Sequence, residues 1–172
     1  MNGNHRITTL ALFIALAVAL HWVESFIPRP APFLRFGLAN VVTLCALYTF
    51  GGAWALVVVV SRVVVGSLLS GGLFSPGFAL ALSGGVAAAL VMWAMPRSLF
   101  SPVGTSVGGA VAHMSAQLAM ASVLVAQASL MRLLPLFLLV SVATGMINGY
   151  LVRMITLVMD GKGRTSSSPL TQ

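Results

Sequence analysis

The stretch VVVVSRVVVGSLLSGG, residues 57–72, places one arginine inside a run of valine and leucine and ends in serine and glycine. Long apolar runs of this kind cross a bilayer as helices, because no water is available there to satisfy the backbone. A strand of a membrane barrel would instead alternate apolar and polar residues over about ten positions. The stretch therefore predicts a transmembrane helix with Arg62 near its middle.

The composition extends this prediction to the whole chain. Of its 172 residues, 59% are hydrophobic and 6% are charged, whereas a soluble domain has roughly 25% charged residues. The net charge is +7, yet the nine Lys and Arg residues are scattered singly and form no basic stripe. We predict an all-α integral membrane protein that lies in the lipid bilayer and binds no nucleic acid.

Turn residues divide the chain into six predicted helices, which form a single transmembrane bundle over residues 1–159. With about 20 residues per crossing, the helices lie at about 7–27, 35–50, 53–70, 77–95, 104–128 and 134–158. The polar segment 160–172 is predicted to be a disordered cytoplasmic tail. Removal of an N-terminal signal peptide is not expected, because the first apolar segment continues through Trp22 and Phe26.

Basic residues near the predicted helix ends set the expected orientation. With the N-terminus inside, the cytoplasmic set is Arg6, Arg97, Arg153, Lys162 and Arg164, and the outer set is Arg29, Arg35 and Arg132. This excess predicts a multi-pass protein of the inner (cytoplasmic) membrane with both termini in the cytoplasm. The segments PRPAPFLRFG (28–37) and SGGLFSPG (70–77) then both face outward.

The scarcity of acidic residues excludes much chemistry. Glu24 and Asp160 are the only carboxylates, too few for paired-carboxylate hydrolysis, for a carboxylate-rich metal site or for an acidic proton relay. Cys45 is the only cysteine and is interpreted as a buried hydrophobic residue. We predict no enzyme activity, no metal and no cofactor; a haem held by His21 and His113 is the alternative.

A phosphate-binding loop is also missing from the sequence. The pair Gly161-Lys162 lacks the upstream glycine, the following hydroxyl and the preceding strand of that motif. If the protein works by ATP hydrolysis, another chain must supply it.

Small residues form two stripes at four-residue spacing. Ala11, Ala15 and Ala19 on the first predicted helix allow another helix to approach closely, either within this chain or on a partner membrane protein. Gly145 and Gly149 on the sixth predicted helix have the same spacing. We interpret the glycine pair as internal packing and leave both alternatives open for the alanine stripe.

Polar residues inside the apolar helices are expected to face the bundle interior, because an unpaired polar group at membrane depth costs several kcal/mol. Three helices carry such residues on one face: Ser106, His113 and Gln117; Ser141, Thr144 and Asn148; and Asn40 with Thr43. They either fix helix packing or line one polar cavity, and together they favour the cavity.

Arg62 requires a partner within the membrane. Its burial at the bilayer centre costs about 2.5–3.5 kcal/mol on insertion scales, and Glu24 is expected to lie roughly a dozen Å from its level. The remaining candidates are helix-end carbonyls, a side-chain amide of Asn40 or Gln117, and an anionic ligand.

Four segments of the sequence resemble a known family. They are FGLANVVTLCALY (36–48), SRVVVGSLLSGGLFSP (61–76), LSGGVAAALVM (82–92) and SPVGTSVGGAVAHMSAQLAMA (101–121). They resemble the Gx transporter family, also labelled heptaprenyl diphosphate synthase component I, and through it the substrate-specific S components of energy-coupling factor (ECF) transporters. The resemblance covers most of residues 10–155. Met114 departs from the Asn expected after His113, which weakens any role of a His-Asn pair.

The resemblance implies a six-helix bundle of the S-component type. In such proteins the substrate lies near the outer end, beneath the loops joining helices 1 to 2 and 3 to 4, and an Ala-rich face of helix 1 meets a transmembrane coupling subunit linked to ATPases. The chain is thus expected to bind a small-molecule substrate in an importer. The substrate-binding candidates are Arg62, Asn40, His113, Gln117 and Asn148, with Arg35 as a loop contact.

A non-catalytic accessory or structural subunit of an isoprenoid, quinone or redox complex is the alternative function. The catalytic synthase itself is excluded, since prenyl elongation binds diphosphate through Mg²⁺ held by Asp-rich motifs. This chain has no aspartate before Asp160.

Overall fold

Six α-helices form nearly all of residues 3–26 and 38–165, the parts of the chain that the computed structural model describes. They are α1 (Gly3–Phe26), α2 (Leu38–Phe50), α3 (Gly52–Leu69), α4 (Pro76–Ala94), α5 (Pro102–Leu124) and α6 (Leu134–Thr165). A short 3₁₀ helix, Ala128–Leu133, precedes α6. The all-helical class predicted from the composition is confirmed.

Four of these helical segments are long and apolar enough to cross a membrane: Gly52–Leu69, Pro76–Ala94, Pro102–Leu124 and Ala128–Leu157. Two shorter apolar stretches, Ile7–Val23 and Asn40–Phe50, lie in α1 and α2. The chain is therefore a multi-pass membrane protein, and six crossings stay a prediction.

Serine caps followed by proline start α4 and α5. The Ser75 hydroxyl accepts a hydrogen bond from the Phe78 backbone N–H at 3.2 Å, and Ser101 accepts one from Gly104 at the same distance. Each cap satisfies a backbone donor that the first helical turn leaves free, and the proline that follows needs no donor of its own. This local chemistry explains why the sequence located both helix starts to within two residues.

Three helix ends differ from the sequence prediction. The end of α5 near residue 128 is wrong, since α5 stops at Leu124 and Ala126 has a left-handed backbone with φ 55°. Helix α1 begins at Gly3, before the apolar run, and α6 continues to Thr165. The disordered tail is thus corrected for residues 160–165, while 166–172 lie outside the described residues. Extending an existing helix needs no new nucleus, so polar residues can prolong it.

Each helix packs against the next helix in the chain, and α2 contributes side chains to the core. Helix α1 packs against α2 and α3, α4 lies between α3 and α5, and α6 packs against α5 and α2. One buried cluster joins four helices through Leu44, Leu47, Ala55, Ala88, Met92 and Val152. Helix α1 consequently lies at the edge of the bundle.

The glycine stripe of α6 packs against the backbone of α5. A Cβ atom on Gly149 would lie 2.5 Å from the Cα of Val103, and one on Gly145 would lie 2.8 Å from the Cα of Val107. The internal-packing interpretation is therefore confirmed. Because residue numbers rise along α6 as they fall along α5, the two helices are antiparallel.

Exposed aromatic residues and Arg97 lie together at one end of the bundle. The α2–α3 and α4–α5 connections lie at what we call the Arg97 end, where Trp54, Trp93 and Tyr150 are exposed. The opposite, or Gly66, end carries the α3–α4 turn. Exposed Trp and Tyr next to basic residues are typical of a membrane–water interface, which places one interface at the Arg97 end.

Candidate functional site

Arg62 is buried in α3, with 3% of its surface exposed. Its Nη2 donates a hydrogen bond of 2.8 Å to Oδ1 of Asn40, in the first turn of α2. The amide alternative for the arginine's partner is thus confirmed for Asn40. The side chain of Glu24 and all of Arg35 lie outside the described residues, so a pairing with Glu24 and a loop contact through Arg35 stay predictions.

Two consecutive glycines of α4 bring its backbone close to both neighbouring helices. A Cβ atom on Gly84 would lie 2.6 Å from Cγ of Gln117 and 3.0 Å from Nε2 of His113, both on α5. One on Gly85 would lie 3.4 Å from Nη2 of Arg62 on α3. The polar side chains of α3 and α5 therefore meet the same turn of α4. We call Asn40, Arg62, His113 and Gln117 the Gly84 cluster.

Gln117 is the member of this cluster with unused hydrogen-bonding capacity. Its side chain is fully buried, and among the residues that the structure describes neither its amide oxygen nor its amide nitrogen has a hydrogen-bond partner. Burying an unsatisfied polar group costs about 1–3 kcal/mol, so proteins rarely retain one without a reason. An amide that offers both donors and an acceptor is suited to bind a polar ligand.

Asn148 lies at a different level from the Gly84 cluster. It is buried between Gly145 and Gly149, so it is level with Val103 to Val107 of α5. His113 is at least six residues further along α5, which corresponds to about 9 Å of helix rise. The structure therefore does not bring all five described substrate candidates together.

The hydroxyl groups of Ser141 and Thr144 on α6 are satisfied within their own helix. Ser141 donates to the carbonyl of Leu138 at 2.9 Å, and Thr144 donates to the carbonyl of Ser141 at 3.1 Å. The stripes predicted from sequence do turn inward, since Ser106, His113, Gln117, Ser141, Asn148 and Thr43 are all buried. These residues lie at two levels along the bundle axis, so they do not all line the one pocket predicted from the sequence.

The alanine stripe of α1 faces away from the bundle. Ala11, Ala15 and Ala19 are exposed, whereas Ala17 is fully buried against α2 and α3. Internal packing, one of the two alternatives for this stripe, is therefore wrong. The outward face leaves room for another helix at close approach.

The two histidines considered as haem ligands contact different helices. His21 lies against α3, with Cδ2 at 2.7 Å from a Cβ position on Gly66, and His113 lies against α4 at Gly84. Met114, which replaces the expected Asn, is buried in an apolar cluster with Leu118 and Phe137. The departure from the family pattern thus serves packing rather than the Gly84 cluster.

Two structural features were not predicted from the sequence. The Gly84-Gly85 pair costs roughly 2 kcal/mol of helix propensity, and such a pair inside an apolar helix indicates close backbone approach. Arg97, interpreted only as a topology signal, donates to the carbonyl of Leu47 and lies over the Tyr48 ring, 5.2 Å from its centroid. It thereby caps the last turn of α2, where a positive charge is favourable.

The packed apolar helices define a multi-pass membrane protein that buries an arginine and, over residues 3–26 and 38–165, an amide with no hydrogen-bond partner. The chain belongs to the heptaprenyl diphosphate synthase component I family, whose model matches residues 13–155. No curated protein and no solved structure matches it. The family resemblance found in the four segments is confirmed, and the likeness to ECF S components stays a prediction.

Proposed function

We propose that the chain is the substrate-binding membrane subunit of a small-molecule importer, with a six-span bundle and ATPases on partner chains. The observation that carries the proposal is the Gly84 cluster, in which Gln117 buries an amide that has no hydrogen-bond partner within the described part of the chain. Ionisable groups at membrane depth are costly and usually functional, and Arg62 on α3 contacts the same turn of α4 as this amide on α5. A polar ligand at this site would use both groups.

The distribution of charge supports an orientation with both termini in the cytoplasm. Arg97 and the exposed Arg153 lie at the Arg97 end, and α6 continues beyond it with Lys162 and Arg164. Basic residues flanking a span favour the cytoplasmic side. The Gly66 end then faces outward, and the substrate enters the bundle from that end of the inner membrane.

The α3–α4 turn supports a closing role at the outer end. Phe74 is 85% exposed and has φ 62°, a left-handed backbone that a bulky residue rarely adopts. Its ring lies edge-on to Phe78, with the centroids 5.8 Å apart. Strained backbone of this kind is concentrated at switch and ligand-clamping segments, so we infer that this turn covers the captured ligand.

The outward alanine stripe of α1 supports docking to a transmembrane coupling subunit. Small residues let helices approach closely in lipid, where packing rather than the hydrophobic effect drives association. Because α1 lies at the edge of the bundle, a partner can contact the stripe without displacing a helix of this chain.

Replacing Ala15 with tryptophan is expected to abolish association with the coupling subunit, because the large side chain blocks close helix approach. Ligand binding is expected to be unchanged, since Ala15 faces away from the Gly84 cluster. The measurement is co-purification of ATPase and coupling subunits from solubilised membranes. The matched control is Ala143→Trp, at an exposed alanine of α6. Equal recovery of the partners with both variants would contradict docking through α1.

The family's name favours a second candidate, a non-catalytic accessory subunit of an isoprenoid-synthesising complex. The catalytic role belongs to another chain in that case, since this one has no aspartate before Asp160. The same co-purification separates the two functions. Recovery of a soluble prenyl synthase in place of ATPases would establish the second.

A further inference from the structure

A groove of about 250 Å³ runs between α1, α2 and α6, away from the Gly84 cluster. Helix α1 contributes Phe13 and Leu20, α2 contributes Val41, Cys45 and Thr49, and α6 contributes Thr156. From Val41 to Thr49 the groove follows about 12 Å of helix. Within the described part of the chain, its lining includes no charged residue.

The polar atoms of this lining are engaged by their own helices. Thr49 Oγ1 donates to the carbonyl of Cys45 at 2.8 Å, and Thr156 Oγ1 donates to the carbonyl of Arg153 at 2.9 Å. The groove therefore presents carbon and sulfur atoms to its occupant and no free hydroxyl donor. A hydrocarbon chain fits this surface, and a polar solute does not.

One end of the groove is basic. Thr49 and Thr156 lie towards the Arg97 end, and Arg153 is three residues before Thr156 on α6. The Arg153 side chain is exposed and makes no hydrogen bond or ion pair with any residue that the structure describes. Beyond this point α1 carries Arg6 and α6 carries Lys162 and Arg164, against a single acid, Asp160.

We propose that this groove binds one acyl chain of an anionic phospholipid, with the lipid phosphate at Arg153. The apolar lining selects the chain, and the charge at the mouth selects the head group, since basic residues at a membrane surface attract anionic lipid. Lipid binding at this groove does not require transport activity, so a negative result here would leave the proposed function unaffected.

The test uses the full chain in detergent, titrated with phosphatidylglycerol or with phosphatidylethanolamine and analysed by native mass spectrometry. Wild type is expected to retain phosphatidylglycerol preferentially. Thr49→Phe fills the groove from an exposed position and is expected to lower retention of both lipids, whereas Val123→Phe, on the exposed surface of α5, is not. Equal retention by Thr49→Phe and wild type would overturn the proposal.

The head-group contact has its own variant. Arg153→Gln is expected to lower the preference for phosphatidylglycerol about fivefold, because a basic residue near the surface contributes about 1 kcal/mol. Arg132→Gln, at an exposed arginine of the 3₁₀ helix, is expected to leave the preference unchanged. An equal drop in both variants, or displacement of the phospholipid by a small excess of a polyprenyl phosphate, would overturn the assignment to phospholipid.

The alkylation rate of Cys45 reports whether the groove is occupied in the wild-type chain. Cys45 is the only cysteine in the sequence and lines the groove. Its alkylation by an apolar maleimide is expected to slow when phosphatidylglycerol is added to the detergent-solubilised chain. An unchanged rate would count against occupancy of the groove.

Discussion

Replacing Arg62 with leucine is expected to abolish ligand binding and uptake while the bundle stays folded. The arginine is buried in α3 against the turn of α4 that also contacts Gln117, so its replacement removes the guanidinium charge from the Gly84 cluster. Leucine removes the cost of burying a charge, and the lost hydrogen bond to Asn40 is expected to lower stability by only about 1–3 kcal/mol. The measurements are uptake by cells producing the variant and thermal unfolding of the purified protein.

Two control variants separate the ligand role of Arg62 from a structural one. Arg62→Lys keeps the charge but loses the planar fork of donors, and is expected to retain partial binding. Arg132→Leu removes an exposed arginine and is expected to leave uptake unchanged. A fall in unfolding temperature and in yield that parallels the loss of uptake would show that Arg62 supports packing instead.

Replacing Gly149 with leucine is expected to lower the stability of the bundle by about 3 kcal/mol or more, at the upper end of overpacking effects. The new Cβ would lie 2.5 Å from the Cα of Val103 and 2.9 Å from the Cβ of Ser106. A backbone atom cannot rotate aside as a side chain does, so α5 and α6 must separate. Thermal unfolding in detergent, followed by circular dichroism, measures the change.

The matched control for this prediction is Gly104→Leu on α5. A Cβ atom there would meet the Phe100 side chain at 3.5 Å, an ordinary contact distance. Leucine is a better helix former than glycine, so the control is expected to change stability by about 1 kcal/mol or less. An unfolding temperature of Gly149→Leu equal to that of wild type would contradict the close packing of α5 on α6.

The sequence predicts the helices and their inward faces because both depend on local patterns. Ser-Pro pairs locate the starts of α4 and α5, and the spacing of Ser106, His113 and Gln117 places them on one face. Spacing gives the rotation of a side chain about its helix but not the level at which two helices meet. That level depends on contacts such as Gly149 with Val103, which explains why Asn148 was grouped with the Gly84 cluster.

The direction of the alanine stripe was likewise beyond the sequence. A four-residue repeat of Ala11, Ala15 and Ala19 defines a face of α1 but not what the face meets. Its exposure follows from the contacts of the opposite face, where Ala17 packs against Val42, Ala46 and Val58. Only the assembled bundle distinguishes internal packing from an outward surface.

The proposal that the Gly84 cluster binds a small molecule is tested by mass spectrometry of the ligand retained through gentle purification. Wild type and Gln117→Leu are purified in equal amounts, denatured, and the released small molecules are compared. Leucine removes a buried unsatisfied amide, so the variant is expected to fold at least as well as wild type. We expect a polar small molecule in the wild type and about tenfold less of it in Gln117→Leu. The same ligand content in both would contradict binding at this cluster.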